Sequence, residues 1–308
     1  MPRMARARGA KGAATWCAMA AVLYLLCRTA LQTGVSALMN AQMPGASLQN
    51  PMGYPETAVE LLLVLIGAAS IALPVFWLLH SSWLQGTELR LARPTPWSPV
   101  FSTVVFLGLA NLGNVLSGLL ARLLRMPARQ TELPASGPAL AAAVLALCIL
   151  PAVGEELLFR GALQGLMRPC GSLAAIAAPA LLFALLHLNL PQFIPALLSG
   201  LFLGWLAERT GSILPGMLLH LLNNALAVGN LYLQAYAPQN LALGLELCIL
   251  LGFPLAGAWM LWCGFRQGFS FADGMRPGAR LGAVFASPVY TAAAALLAGY
   301  TVFLTFRG

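Results

Sequence analysis

Apolar residues run through this chain in blocks longer than a soluble core requires. A helix that crosses the hydrocarbon of a membrane needs about 20 of them in succession. By that measure the sequence predicts nine helical segments, at 14–39, 57–80, 100–121, 139–167, 173–190, 192–207, 213–235, 241–263 and 282–305. Proline and glycine mark the breaks. The stretches 92–99 and 134–138 read as extended connections, Leu190-Pro191-Gln192 leads one segment almost directly into the next, and Thr210-Gly211-Ser212 is a tight turn. The segment 192–207 is short and carries Pro195, Ser199, Gly200 and Gly204, and such small residues suit close helix packing. The pattern predicts an all-α fold, a polytopic transmembrane helix bundle of about 8–9 membrane-spanning helices.

Composition agrees. Of the 308 residues 59% are hydrophobic and only 8% charged, with a mean hydropathy of +0.80, whereas a soluble domain carries about 25% charged residues. The net charge of +8 comes almost entirely from arginine, Lys11 being the only lysine. In a soluble chain that balance would suggest nucleic acid. Here the basic residues gather at segment ends, where they set topology and meet anionic lipid head groups, and no aromatic-and-basic stripe accompanies them. With the N-terminus in the cytoplasm, that side carries Arg3, Arg6, Arg8, Lys11, Arg90, Arg93, Arg168, Arg209, Arg266, Arg276 and Arg280. The other side carries Arg122, Arg125, Arg129 and Arg307, so the bias predicts N-in and C-out. The first segment is too long for a signal-peptide h-region and reads as an uncleaved anchor. The six cysteines, at 17, 27, 148, 170, 248 and 263, form no CxxC pair, which argues against a disulfide framework or a thiolate zinc site.

Against this background charge is informative. Each Asp, Lys or Arg at the centre of a membrane helix costs roughly 2.5–3.5 kcal/mol on insertion scales. Yet the apolar run 138–167 holds Glu155, Glu156 and Arg160, two of the chain's nine acidic residues side by side. Two of the three histidines, His187 and His220, also fall in apolar runs. Polar groups at that depth face one another or water, which predicts that three helices converge on one buried polar site. Glu156 and Arg160 are i,i+4 and pair on one face. Glu155 lies about 100° away around the helix and is left available for proton transfer. His220 and Asn224 are likewise i,i+4, as are Phe183 and His187, so Phe183 walls the site.

A carboxylate, two imidazoles and an amide together suggest hydrolysis by an activated water, the carboxylate taking the proton and the other groups receiving the oxyanion. Glu155, His187 and His220 equally form a catalytic zinc set with an open position for water. The sequence leaves both a bound divalent metal and a metal-free Glu/His mechanism open.

Glu155-Glu156-x-x-x-Arg160, Phe183-x-x-x-His187 and His220-x-x-x-Asn224, in that order and on separate apolar segments, resemble the three motifs of the CPBP intramembrane proteases (CAAX proteases and bacteriocin-processing enzymes, also called the Abi family). The resemblance covers roughly 138–230. It implies Glu155 as general base, His187 as its partner on water, and His220 with Asn224 on the oxyanion side. Glu156, Arg160 and Phe183 then have structural or substrate-orienting roles. It further implies a metallo- or glutamate-type endopeptidase of a bacterial cell membrane. The chain thus divides into N-terminal helices at 1–137, a catalytic core at 138–230 and C-terminal helices at 231–308, within one integral membrane domain. The partners implied are membrane lipid and a peptide or protein substrate, with no nucleic acid. Nothing in the sequence favours a prenylated substrate over an unmodified peptide, and no feature specifies an oligomer. The rival reading is a non-proteolytic membrane regulator or bacteriocin-immunity protein built on the same bundle. A transporter would want matching halves with broken helices, which the sequence lacks. His80, Glu60, Glu246 and the pair Glu208-Arg209 read as interfacial anchors, and Asn111 and Asn114 as packing contacts.

Overall fold

A computed structural model describes residues 9–81, 88–126, 133–134, 137–278 and 281–307. Arg3, Arg6, Arg8, Arg129 and Arg280 of the charge pattern, with Ala135 and Ser136 of the 134–138 connection, lie outside the described residues.

Each of the nine predicted segments is helical: α1 (Ala10–Gln42), α2 (Glu56–His80), α3 (Pro99–Leu123), α4 (Gly137–Cys170), α5 (Ser172–Leu185), α6 (Leu190–Thr210), α7 (Leu214–Tyr236), α8 (Gln239–Arg266), and a last segment in two pieces, α9 (Leu281–Phe285) and α10 (Pro288–Arg307). The protein is an all-α polytopic bundle. Among the described residues seven helices are long and apolar enough to cross a membrane. The helix α5 falls short with 14 residues, and α7 is diluted by His220, Asn223, Asn224, Asn230 and Gln234.

Two boundaries differ from the apolar pattern. The run 282–305 breaks before Pro288, which has no N–H to give a preceding carbonyl; the Ser287 Oγ instead accepts from the Tyr290 N–H at 3.3 Å. The run 173–190 stops as helix at Leu185, and Leu188 is left-handed at φ 50°. His187 therefore sits in the terminating turn of α5 rather than inside the helix.

Proline also explains irregularities within helices. Wide, π-type turns occupy Leu145–Ile149 in α4 and Cys248–Gly252 in α8. Each lies just ahead of a proline, Pro151 or Pro254, whose ring crowds the carbonyl four residues back. A further π-type turn, Glu156–Leu163, has no proline behind it and carries Glu156 and Arg160. Such turns occur frequently at functional sites.

Small residues set the close packing. On α1, Ala13, Ala14, Cys17, Ala18 and Ala21 are buried against α4, α5 and α10, in a core shared with Phe159, Leu163, Leu182 and Tyr290. A second core joins α3, α6 and α8 through Phe106, Phe202, Trp205 and Leu206. The contact of α3 with α6 depends on Gly113, where an added Cβ would stand 2.5 Å from the Pro195 Cα. Leu65, Phe76, Leu255, Trp259 and Leu296 stay exposed and form the outer apolar surface, as lipid contact requires.

The pair Glu208-Arg209 is more than an interfacial anchor. The Glu208 side chain is only 5% exposed and accepts from Gln164 at 3.0 Å, Arg168 at 3.0 Å, Arg90 at 3.3 Å and Arg276 at 2.7 Å. One carboxylate thereby ties α4 and α6 to the connections at 90 and 276. The segment around Arg90 is fixed as well: its carbonyl accepts from the Ile213 N–H at 2.9 Å, and the Thr95 N–H donates to the Thr210 carbonyl at 2.9 Å. Gly211, at φ +68°, makes the turn that allows this.

Candidate active site

The π-type turn of α4 presents its two glutamates differently. Glu156 is fully buried. Its Oε1 accepts from the Arg160 Nη1 at 2.7 Å, the i,i+4 pair that the spacing predicts. The same oxygen lies 3.0 Å from the Nδ1 of His220 on α7. That second bond was not legible in the sequence. It places Glu156 between a guanidinium and an imidazole, whereas the spacing alone gave it only the arginine.

Arg160 is held from three sides. Besides Glu156 it donates to the Gly200 carbonyl of α6 at 3.4 Å and lies over the Phe183 ring at 4.6 Å. Phe183 in turn stands edge-on to both histidines, at 4.9 Å from His187 and 6.1 Å from His220. It is therefore the packing element at the centre of the constellation, and it also lines cavity space. Glu156 and Arg160 line neither of the cavities described below, so whatever they do for a substrate they do through His220 and Phe183.

Close approach of α7 to α4 needs Gly216, one turn ahead of His220. A Cβ there would stand 3.0 Å from the Glu156 Oε2, an oxygen with no hydrogen-bond partner among the described residues. On α6 the carbonyls of Gly200 and Gly204 serve as acceptors for Arg160 and Gln164. The small residues noted in the sequence thus bring backbone oxygens to polar side chains of α4.

Glu155 is turned away from this knot. Its side chain is 17% exposed, and its Oε2 lies 3.9 Å from the Nε2 of His220. That is too long for a hydrogen bond and short enough for one water bonded to both. The His187 Nδ1 lies 2.9 Å from the Phe183 carbonyl, which sets a tautomer with the proton on Nδ1 and the lone pair on Nε2. Hydrogen bonding to Glu156 sets the same Nδ1 proton on His220.

Two cavities meet at these residues. One, of about 530 Å³, is lined by Glu155, His187, His220 and Asn224 together with Tyr24, Arg28, Gln32 and Glu60. The other, of about 430 Å³, is lined by His187, His220, Asn224, Asn111, Asn114 and Glu246 among others. Asn111, Asn114, Glu60 and Glu246 are thus cavity walls and not only packing or anchoring residues. Glu155 also does not face a purely apolar wall: Arg28 and Tyr24 of α1 share its space. The signal for Arg28 was present in the sequence as a lone charge inside the apolar run 14–39.

Metal ligation finds less support. Among the described residues no three His, Cys, Asp or Glu side chains gather closely enough to hold an ion. The set His187, His220 and Glu155 does not fit a metal as placed.

Residues 137–226 match the family described as type II CAAX prenyl endopeptidase, Rce1-like. No curated protein and no solved structure matches the chain. The matched stretch holds Glu155, Glu156, Arg160, Phe183, His187, His220 and Asn224, so this part of the chain is similar to the CAAX-type intramembrane proteases.

Proposed function

We propose that the protein is an intramembrane endopeptidase that hydrolyses peptide bonds of a membrane-associated peptide or protein, in a cell membrane with the N-terminus cytoplasmic. The observation that carries this reading is the convergence of Glu155, His187, His220 and Asn224 on one cavity of about 530 Å³.

The proposed chemistry uses the chain's own groups. A water bonded to Glu155 gives up its proton to that carboxylate as its oxygen attacks the carbonyl carbon of the substrate. The His187 Nε2, kept as an acceptor by the bond from Nδ1 to the Phe183 carbonyl, orients the water. The carbonyl oxygen becomes an oxyanion and accepts from the Asn224 amide and from the His220 Nε2. For His220 to donate from Nε2 while its Nδ1 donates to Glu156, the ring must be an imidazolium. Glu156, at 3.0 Å, is the counter-charge that makes this state affordable in an apolar bundle. The protonated Glu155 then passes its proton to the departing amine. Among the described residues the hydrogen-bond partner of the His187 ring is the Phe183 carbonyl, which suits the neutral role.

Glu155→Gln tests the reading. The variant should fold and express as the wild type does, and lose activity by about 10²–10⁴-fold. Membrane peptides should accumulate or disappear accordingly when cells with wild-type and Glu155→Gln protein are compared by proteomics. A cellular phenotype that survives the substitution intact would favour the non-proteolytic regulator instead.

A further inference from the structure

Arg28 lies at about the middle of α1, some 27 Å from the Ala10 end and 21 Å from the Gln42 end at 1.5 Å per residue. A charge at that depth is costly and by default marks a functional position. Its Nη1 donates at 3.0 Å to the hydroxyl of Tyr24, a buried residue one turn earlier. Among the described residues it makes no ion pair within 4.0 Å. It does share with Glu155 and His187 a side pocket of about 40 Å³, closed by Tyr24, Phe159, Phe183 and Leu186. His220 and Asn224 line the 530 Å³ cavity next to it and not the pocket itself. At about 10–15 Å³ of such space per water, the pocket has room for roughly three waters and for no peptide residue. Its polar walls also suit water. His187 spends Nδ1 on the Phe183 carbonyl and keeps Nε2 as an acceptor, and Glu155 adds its carboxylate oxygens. A water there finds an acceptor for each hydrogen. The donors for its oxygen come from α1, in the Arg28 guanidinium and the Tyr24 hydroxyl.

We propose that this pocket seats the hydrolytic water and that Arg28 is a further catalytic residue, a fixed positive charge donating to the water oxygen as it turns hydroxide-like. Tyr24 is its positioning residue. The inference rests on the hydrolytic reading of the site and adds a cation to it. As the water's O–H bond breaks, its proton passes to the Glu155 carboxylate. The water oxygen bonds to the substrate carbonyl carbon, and the carbonyl electron pair moves to the carbonyl oxygen. Arg28 keeps its own protons throughout. A cation beside the reacting oxygen favours its anionic form, and a preorganised donor is worth more in a water-poor site than in bulk. With no direct pair between Arg28 and Glu155, the guanidinium acts on the water and leaves the carboxylate free as a base. His220 and Asn224 serve the carbonyl oxygen, so the two sets of donors divide the charge between its start and its end. Arg28 lies outside the matched segment 137–226, and α1 would thus complete a site whose other groups come from α4, the turn after α5 and α7.

The test uses purified protein in detergent with a fluorescence-quenched peptide that carries a farnesylated cysteine fourth from its C-terminus, and with the unmodified twin of that peptide. Arg28→Gln should lower kcat about 10²–10³-fold, the range for loss of one charge-stabilising donor, and leave KM unchanged. Arg28→Lys should keep part of the rate, and Tyr24→Phe should lose about tenfold, the span of one hydrogen bond. Cleavage by Arg28→Ala should partly return on adding millimolar guanidinium chloride and not on adding urea, a planar molecule of similar size without the charge. A merely structural arginine would respond to neither. A raised KM with kcat intact would make Arg28 a substrate-binding residue and overturn the proposal, as would equal rescue by urea or none by guanidinium in a variant that unfolds at the wild-type temperature. The seat can be read without any substrate: a map of wild-type protein that resolves ordered water should show one bonded to Glu155, His187 and Arg28. An empty pocket overturns the proposal. A wild type that cuts neither peptide, or a fully active Glu155→Gln, removes the hydrolytic reading and this inference with it. Inactive Glu155→Gln beside fully active Arg28→Gln removes this inference alone.

Discussion

Removing the charge of Glu156 should damage stability and catalysis by separable routes. The carboxylate is fully buried and bonded through one oxygen to Arg160 at 2.7 Å and His220 at 3.0 Å. Truncation by Glu156→Ala leaves Arg160 as an uncompensated buried charge, a loss of about 3–5 kcal/mol in soluble proteins. Glu156→Gln keeps a neutral acceptor on that side and should fall at the lower end, about 3 kcal/mol. Its new amide nitrogen, placed near Gly216 where the native oxygen has no partner among the described residues, adds an unsatisfied donor. The Phe183 ring and the Gly200 carbonyl hold Arg160 in wild type and variant alike, so they do not offset the change. Adding Arg160→Met to Glu156→Gln should recover part of the stability, because the uncompensated buried charge is gone while the new amide still lacks a partner. Activity should not return. His220 still lacks the counter-charge for its imidazolium, and loss of one oxyanion donor costs about 10²–10³ in kcat. Thermal unfolding in detergent, run beside peptide cleavage on all three variants, reads the two effects. Rescue of cleavage together with stability in the double variant would refute the role given to Glu156 and return it to a strut for Arg160.

Gly216→Ala should lower cleavage and cost about 1–3 kcal/mol in detergent unfolding, since its Cβ would stand 3.0 Å from the Glu156 Oε2 and push α7 away from α4; a variant with wild-type cleavage would show that the helices yield there. Peptide cleavage should survive dialysis against a chelator, and elemental analysis of purified protein should find zinc well below one per chain. Stoichiometric zinc that is lost in His187→Ala would overturn the metal-free mechanism.

Apolar run length located all nine helical segments because a membrane helix must be apolar along most of its length, and that is written directly in the residues. Pairing within one helix was legible too: Glu156 with Arg160 follows from 3.6-residue geometry. Pairing between helices was not. No spacing rule connects Glu156 to His220, 64 residues away, and the knot that four groups make around Glu208 joins parts of the chain from 90 to 276. Gly216 gave a faint sign, a small residue four before His220 on the same face. The break at Pro288 and the early end of α5 were hidden because hydropathy does not distinguish an apolar turn from an apolar helix.

The distribution of cavity walls along the chain bears on how such an enzyme acquires its substrate. Arg28 apart, the chemistry-bearing groups come from α4, the turn after α5, and α7, all inside the segment that matches the family. The remaining walls come largely from elsewhere: Tyr24, Arg28 and Gln32 from α1, Glu60 from α2, and Asn111, Asn114 and Glu246 from α3 and α8. Hydrolysis demands fixed distances among base, water and oxyanion donors, and the groups proposed for base and oxyanion donors sit on helices joined by buried bonds such as Arg160 to Glu156 and His220 to Glu156. Recognition demands only that the walls present suitable charge and shape. Apart from Tyr24 and Arg28, changes at the cavity-facing positions of α1, α2, α3 and α8 therefore alter what enters the cavity and leave the bonds of Glu156 to Arg160 and His220 in place, so on the proposed mechanism substrate choice can vary there while the hydrolytic groups keep their supports.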